Sequence, residues 1–83
     1  MSSIPLYAFV QGDTLGLVVL APDGELVAEL ARRLARAAAS RVTLSGGLRV
    51  LHRGKLLPGE LSLREAGVRA LDRVDLVSED HGV

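Results

Sequence analysis

Apolar residues along this chain gather in short runs, separated by residues that favour turns. Ile4 to Val10 has extended character and is followed by Gln11-Gly12-Asp13-Thr14, which carries turn residues. Leu15 to Ala21 is a second apolar strand, so the first part of the chain predicts a hairpin. Pro22-Asp23-Gly24 ends that strand, and Asp23 is placed to cap a helix. From Glu25 to Ala39 the period changes. Leu26, Val27, Leu30 and Leu34 recur at helical spacing, with Ala31, Ala35 and Ala38 beside them. Glu29 pairs in spacing with Arg32 and Arg33, and with Arg36 these arginines read as a solvated face near a helix C-terminus.

Ser40 to Gly47 reads as a loop, Leu48 to His52 as a third strand, and Arg53-Gly54-Lys55 as a turn into the short strand Leu56-Leu57. The Gly-Lys pair lacks the earlier glycine and the following Ser or Thr that a phosphate loop requires. Ser62-Leu63-Arg64-Glu65 is a capping box that predicts a short helix, stopped by Gly67. Val74 to Ser78 is the last strand, and the polar tail from Glu79 to Val83 is expected to fray. This order predicts an α+β roll in which a mixed sheet carries one main helix and a short second helix. The whole of 1–83 then forms a single domain.

The hairpin strands break the rule of one apolar and one polar face. Leu15, Leu17, Val19 and Ala21 share one side of the second strand, with Val18 and Leu20 on the other. In the first strand Ile4, Leu6, Ala8 and Val10 oppose Pro5, Tyr7 and Phe9. One helix covers one face only, so either the other apolar face meets a protein partner, the reading favoured here, or these residues merely line strand edges and loops.

Composition narrows the function further. The 83 residues are 48% hydrophobic and 24% charged, which describes a folded chain near the small end for an unaided core. No cysteine is present, which excludes disulfides and thiolate metal sites and suits a cytoplasmic setting. Net charge is zero and Tyr7 and Phe9 are the only aromatics, a poor match to nucleic-acid binding. The N-terminus has no basic region of a signal peptide, and the longest uncharged apolar run, Leu15 to Pro22, is far short of the ~20 residues that span a bilayer. Catalytic chemistry is not legible either. His52 and His81 are the only histidines, and no Glu-x-x-His pair or Gly-x-Ser-x-Gly occurs. The acidic pairs Asp72/Asp75 and Glu79/Asp80 read as solvated charges. No cofactor or metal site is expected in this chain, and it does not read as an enzyme.

The element order, together with Arg49 to Val68, resembles ubiquitin and its relatives, the β-grasp proteins. Arg-Val-Leu-His-Arg-Gly-Lys-Leu-Leu matches their strand, Gly-Lys turn and leucine, and Ser62-Leu63-Arg64-Glu65 with Val68 matches their half-helix. A narrower likeness runs along nearly the whole chain. It is carried by the Met-Ser-Ser-Ile-Pro-Leu start, Leu17-Val18-Val19, Val27-Ala28-Glu29, Arg41-Val42, Leu48-Arg49-Val50, Leu57-Pro58, Glu65-Ala66-Gly67 and Val74-Asp75-Leu76-Val77. In these the chain is similar to the toluene-4-monooxygenase system protein B family, the small gamma subunits of bacterial multicomponent di-iron monooxygenases. The resemblance implies a non-catalytic subunit of a hydroxylase for toluene-like aromatics or alkenes. It also implies that the di-iron centre lies in the large alpha subunit, which this chain binds with a beta subunit in the same complex. In the ubiquitin-like register Leu51 and Val77 fall on ubiquitin's own recognition patch. With Leu17, Val19 and Arg49 they form the expected partner-binding set. A free-standing adaptor, for example in a secretion system, is the alternative. A C-terminally activated modifier or sulfur carrier ranks below it, because such chains end in Gly-Gly and this one in Gly82-Val83.

Overall fold

In the computed structural model, which describes residues 2–79, the alternating and helical segments meet around one buried cluster. The elements are β1 (Ser3–Val10), β2 (Gly16–Pro22), α1 (Val27–Ala37), β3 (Leu48–His52), β4 (Lys55–Leu57) and β5 (Arg73–Ser78). They form a five-stranded mixed sheet in the order β2-β1-β5-β3-β4. β1 and β5 run parallel and the other neighbours antiparallel. The last strand is thus inserted between the first hairpin and the second, which locks both ends of the chain into one sheet.

Side-chain alternation assigns the faces. Ala8 pairs with Val74, and Leu76 lies between Val10 and Val50, all on the inner side and all buried. Val27, Leu30, Ala31 and Leu34 of α1 close over them. Burying each of the valines and leucines among them contributes on the order of 1.5–3 kcal/mol.

The start of α1 differs from expectation. The cap is Leu26, not Asp23, and a leucine side chain offers no acceptor. Glu29 Oε1 instead accepts the Leu26 N–H at 3.0 Å. The N–H groups of Val27 and Ala28 donate to the carbonyls of Leu61 and Gly59 at 2.8 and 3.1 Å. A helix leaves its first amides without internal partners, and here a loop distant in sequence satisfies two of them. Gly59 permits that approach, because a Cβ there would stand 3.2 Å from the Ala28 Cβ. Asp23 is used otherwise: its carboxylate accepts from the Arg64 guanidinium and its carbonyl accepts the Arg64 N–H.

The short second helix is absent, and α1 is the one helix among the described residues. The capping box itself forms, with Glu65 N–H donating to Ser62 Oγ at 3.1 Å and Ser62 N–H to Glu65 Oε1 at 2.9 Å. The stop signal arrives at once. Val68 N–H donates to the Leu63 carbonyl and Gly67 N–H to the Arg64 carbonyl, with Gly67 at φ +83°. That pattern is a Schellman closure, and start and stop signals this close leave only a single turn. The β3–β4 connection does behave as predicted. Arg53 and Gly54 both have positive φ, +54° and +80°, as a type I′ hairpin turn demands.

The expected fraying of 79–83 lies, apart from Glu79, outside the described residues. Glu79 itself is held, its N–H donating to the Gly47 carbonyl at 2.8 Å.

Leu63 is fully buried although it belongs to a turn segment, so that segment is part of the core. Leu63→Ala should cost about 2–5 kcal/mol, read as a lowered urea midpoint. A loss below about 1 kcal/mol would show that the turn does not anchor the core.

Candidate interaction face

The outer side of the sheet carries no helix. Cross-strand pairing places Pro5 beside Leu20, Tyr7 beside both Val18 and Arg73, and Phe9 between Gly16 and Asp75. Further along, Leu51 lies between Asp75 and Leu56, and Arg49 beside Val77. Four of these side chains are large, apolar and open to solvent: Val18 at 71%, Leu20 at 65%, Leu56 at 49% and Tyr7 at 46%.

A charged strip on β5 divides the face into two apolar sectors. Arg73 Nε donates to Asp75 Oδ1 at 2.9 Å, and its guanidinium carbon sits 4.2 Å from the centre of the Phe9 ring. The bond to Asp75 holds the Arg73 guanidinium above its ordinary pKa. Phe9 lies across Gly16, where any Cβ would come within 2.8 Å of its ring, so the glycine makes room for the aromatic. On one side of the strip stand Tyr7, Val18 and Leu20, and on the other Leu51 and Leu56. Arg49 is loosely tethered, 3.5 Å from Glu79 Oε1.

The five residues expected from sequence to meet a partner are split by the sheet. Arg49, Leu51 and Val77 lie on the open face. Leu17 and Val19 lie on the inner side and pack, half-buried, against the core. The exposed residues of β2 are their neighbours Val18 and Leu20.

The sequence reading also missed a polar pair. His52 shares the inner parity of Val50 and is buried, and its Nε2 stands 2.9 Å from Asp72 Oδ2. Asp72 is therefore no freely solvated charge. It also accepts the Arg69 N–H at 3.0 Å, and that amide, followed by His52, holds its carboxyl below the usual range. Counting the period of two from Val50 exposes the signal for His52. Nothing local in the sequence marks Asp72 as its partner.

The pair borders a shallow depression of about 460 Å³ lined by Leu51, His52, Arg53, Gly54, Asp72, Arg73 and Asp75. No serine, threonine or cysteine lines it, so His52 has no side-chain nucleophile to activate there. Among the described residues no three or more His, Cys, Asp or Glu side chains are grouped to hold a metal ion, and no helix is long and apolar enough to cross a membrane. What the site offers is a surface: two apolar sectors and a fixed charged strip.

The fold defines the class: a ubiquitin-like β-grasp. The chain is similar to Caldiarchaeum subterraneum ubiquitin, with a TM-score of 0.78 and 15% identity over 99% of this chain and 100% of that one. The ubiquitin-like domain of tubulin-binding cofactor B is alike at 0.78, with 18% identity over 96% of this chain and 93% of that one. One likeness is more particular. A chain from the toluene 4 monooxygenase HD complex with the inhibitor 4-bromobenzoate matches at 0.85, with 23% identity over 94% of this chain and all of that one. No family model and no curated protein matches the sequence.

Three carboxyls are held low by their partners: Asp13 by Arg41, Glu65 by the Ser62 amide, and Asp72 chiefly by the Arg69 amide. A carboxyl depressed in the folded state takes up its proton first in the unfolded chain. Its contribution is thus complete above the ordinary carboxylate range and is lost as pH falls through the depressed value. Stability should drop between about pH 5 and about pH 3, and Asp72→Asn should shallow that slope in urea melts. Identical slopes for the variant and the wild type would remove Asp72 from the account.

Proposed function

We propose that this chain is a non-catalytic small subunit of a multicomponent monooxygenase acting on toluene-like aromatics or alkenes. Its task is to bind the large alpha subunit, with the beta subunit in the same assembly, through the open face of the sheet. The di-iron centre belongs, in this reading, to the alpha subunit, and this chain contributes no reacting group.

The observation that carries the reading is the end-to-end likeness to a chain of the toluene 4 monooxygenase complex, at a TM-score of 0.85 against 0.78 for the archaeal ubiquitin. The uncovered face supports it, since apolar sectors left open beside fixed charges are a usual mark of a protein contact. Arg49, Leu51 and Val77 fall on that face, and Val18, Leu20 and Leu56 extend it.

Tagged chain recovered from cells grown on an aromatic or alkene should bring down a large hydroxylase subunit. An eluate without one would overturn the reading in favour of a free-standing adaptor. Lysine is the better probe at the centre of the face, because Leu51 lies directly opposite Asp75 and a new carboxylate there would be repelled. Leu51→Lys and Leu56→Lys should each weaken recovery about tenfold or more, as charges placed in an apolar contact do. Circular dichroism should stay unchanged. Arg32→Glu, on the solvated side of α1, should recover the partner normally.

A further inference from the structure

β2 is an outer strand of the sheet, and a single arginine guards its edge. Tyr7 N–H donates to Asp72 O and Pro5 O accepts from Leu71 N–H, so at these residues β1 turns its polar backbone groups toward the β5 side. Their partners Val18 and Leu20, and by the same alternation Gly16, therefore direct N–H and C=O away from β1, toward the free edge. The carbonyl of Leu20 confirms the direction, since it accepts from Arg33 Nη2 at 3.1 Å. That arginine is the single side chain hydrogen-bonded to this edge among the described residues.

Edge strands are normally guarded by an inward charge, an internal proline or a bulge. β2 has none of these. Gly16 to Ala21 contains no charge, Pro22 stands at the very end, and the register with β1 runs unbroken. Val18 and Leu20 are also the most exposed large hydrophobic residues among those described.

We propose that this edge is a strand-addition site and that its occupant in the isolated chain is the β2 edge of a second copy, joined antiparallel across a two-fold axis. Self-complementarity favours that occupant. With Val18 opposite Val18 of the second copy, Gly16 falls opposite Leu20 and Leu17 opposite Val19. Outward backbone groups then meet outward groups at Gly16, Val18 and Leu20, where the Leu20 carbonyl exchanges Arg33 for the Gly16 N–H of the second copy. Both sides of the junction pair apolar residues, and the leucine from the second copy comes to lie by Phe9, which already spans Gly16. The strand carries no charge to repel itself, and the whole chain has a formal net charge of zero. The two apolar sides of β2, unexplained by one covering helix, are both used in such a junction.

Sedimentation equilibrium on the full chain tests this, independently of any hydroxylase. The wild type should pass from monomer to dimer as its concentration rises to ~1 mM, the range of a weak association. Val18→Pro removes the outward N–H at a position where an edge tolerates proline, and Val18→Lys sets two like charges face to face. Each should raise the dissociation constant about tenfold or more, while nitrogen–proton correlation spectra confirm the fold. Amide exchange at Val18 should slow with concentration in the wild type. A wild type that stays monomeric throughout, or a dimer that both folded variants leave intact, would overturn the proposal. A dimer disrupted by Leu51→Lys but not by Val18→Pro would assign self-association to the open face and equally overturn it.

Discussion

An eleven-residue helix cannot cover both faces of a five-stranded sheet, and that geometric limit organises this molecule. α1 is about 16 Å long, while five strands set side by side span about 19 Å between the outer two. The helix therefore lies over the middle of the sheet and buries one face. Leu6, Val74, Leu76 and Val50 share that burial with Leu30 and Leu34. The opposite face keeps Tyr7, Val18, Leu20 and Leu56 in solvent. β2 sits at the margin, with Leu17 and Val19 only half-covered on its inner side. The open apolar face follows from this imbalance, with no special residue required.

The segment from Pro58 to Val68 compensates for what the helix lacks. α1 has no capping side chain at its first residue, yet its early amides reach the carbonyls of Leu61 and Gly59. The same segment inserts Leu63 and Val68 into the core and ties Arg64 to Asp23. A stretch without regular structure thus fixes where the helix begins and closes the end of the core. Its own capping box and glycine stop are compressed into one turn, which leaves no room for a helix.

Polar pairs hold the other corners. His52 and Asp72 join the end of β3 to the approach of β5, and Arg41 with Asp13 joins the segment after α1 to the β1–β2 turn. The first is buried beside a shallow depression, a setting that in another protein would serve acid–base chemistry. Here no side-chain nucleophile or metal-binding group accompanies it among the described residues, and its geometry is that of a clamp.

By itself the sequence determined the strands, the main helix, the place of the β3–β4 turn and the roll they form. Each rests on local physics: a period of two, a period near 3.6, and residues that favour turns. It also carried the excess of apolar positions in the hairpin, and with it the expectation of a partner. Which side of β2 remains exposed was decided only in three dimensions. Leu17 and Val18 are equally apolar, and the choice between them depends on where a distant helix comes to rest. The cap of α1, the partner of His52 and the short reach of the Ser62 turn were likewise settled by tertiary structure. Each joins groups far apart in sequence or sets two local signals in competition, and no local pattern records the outcome.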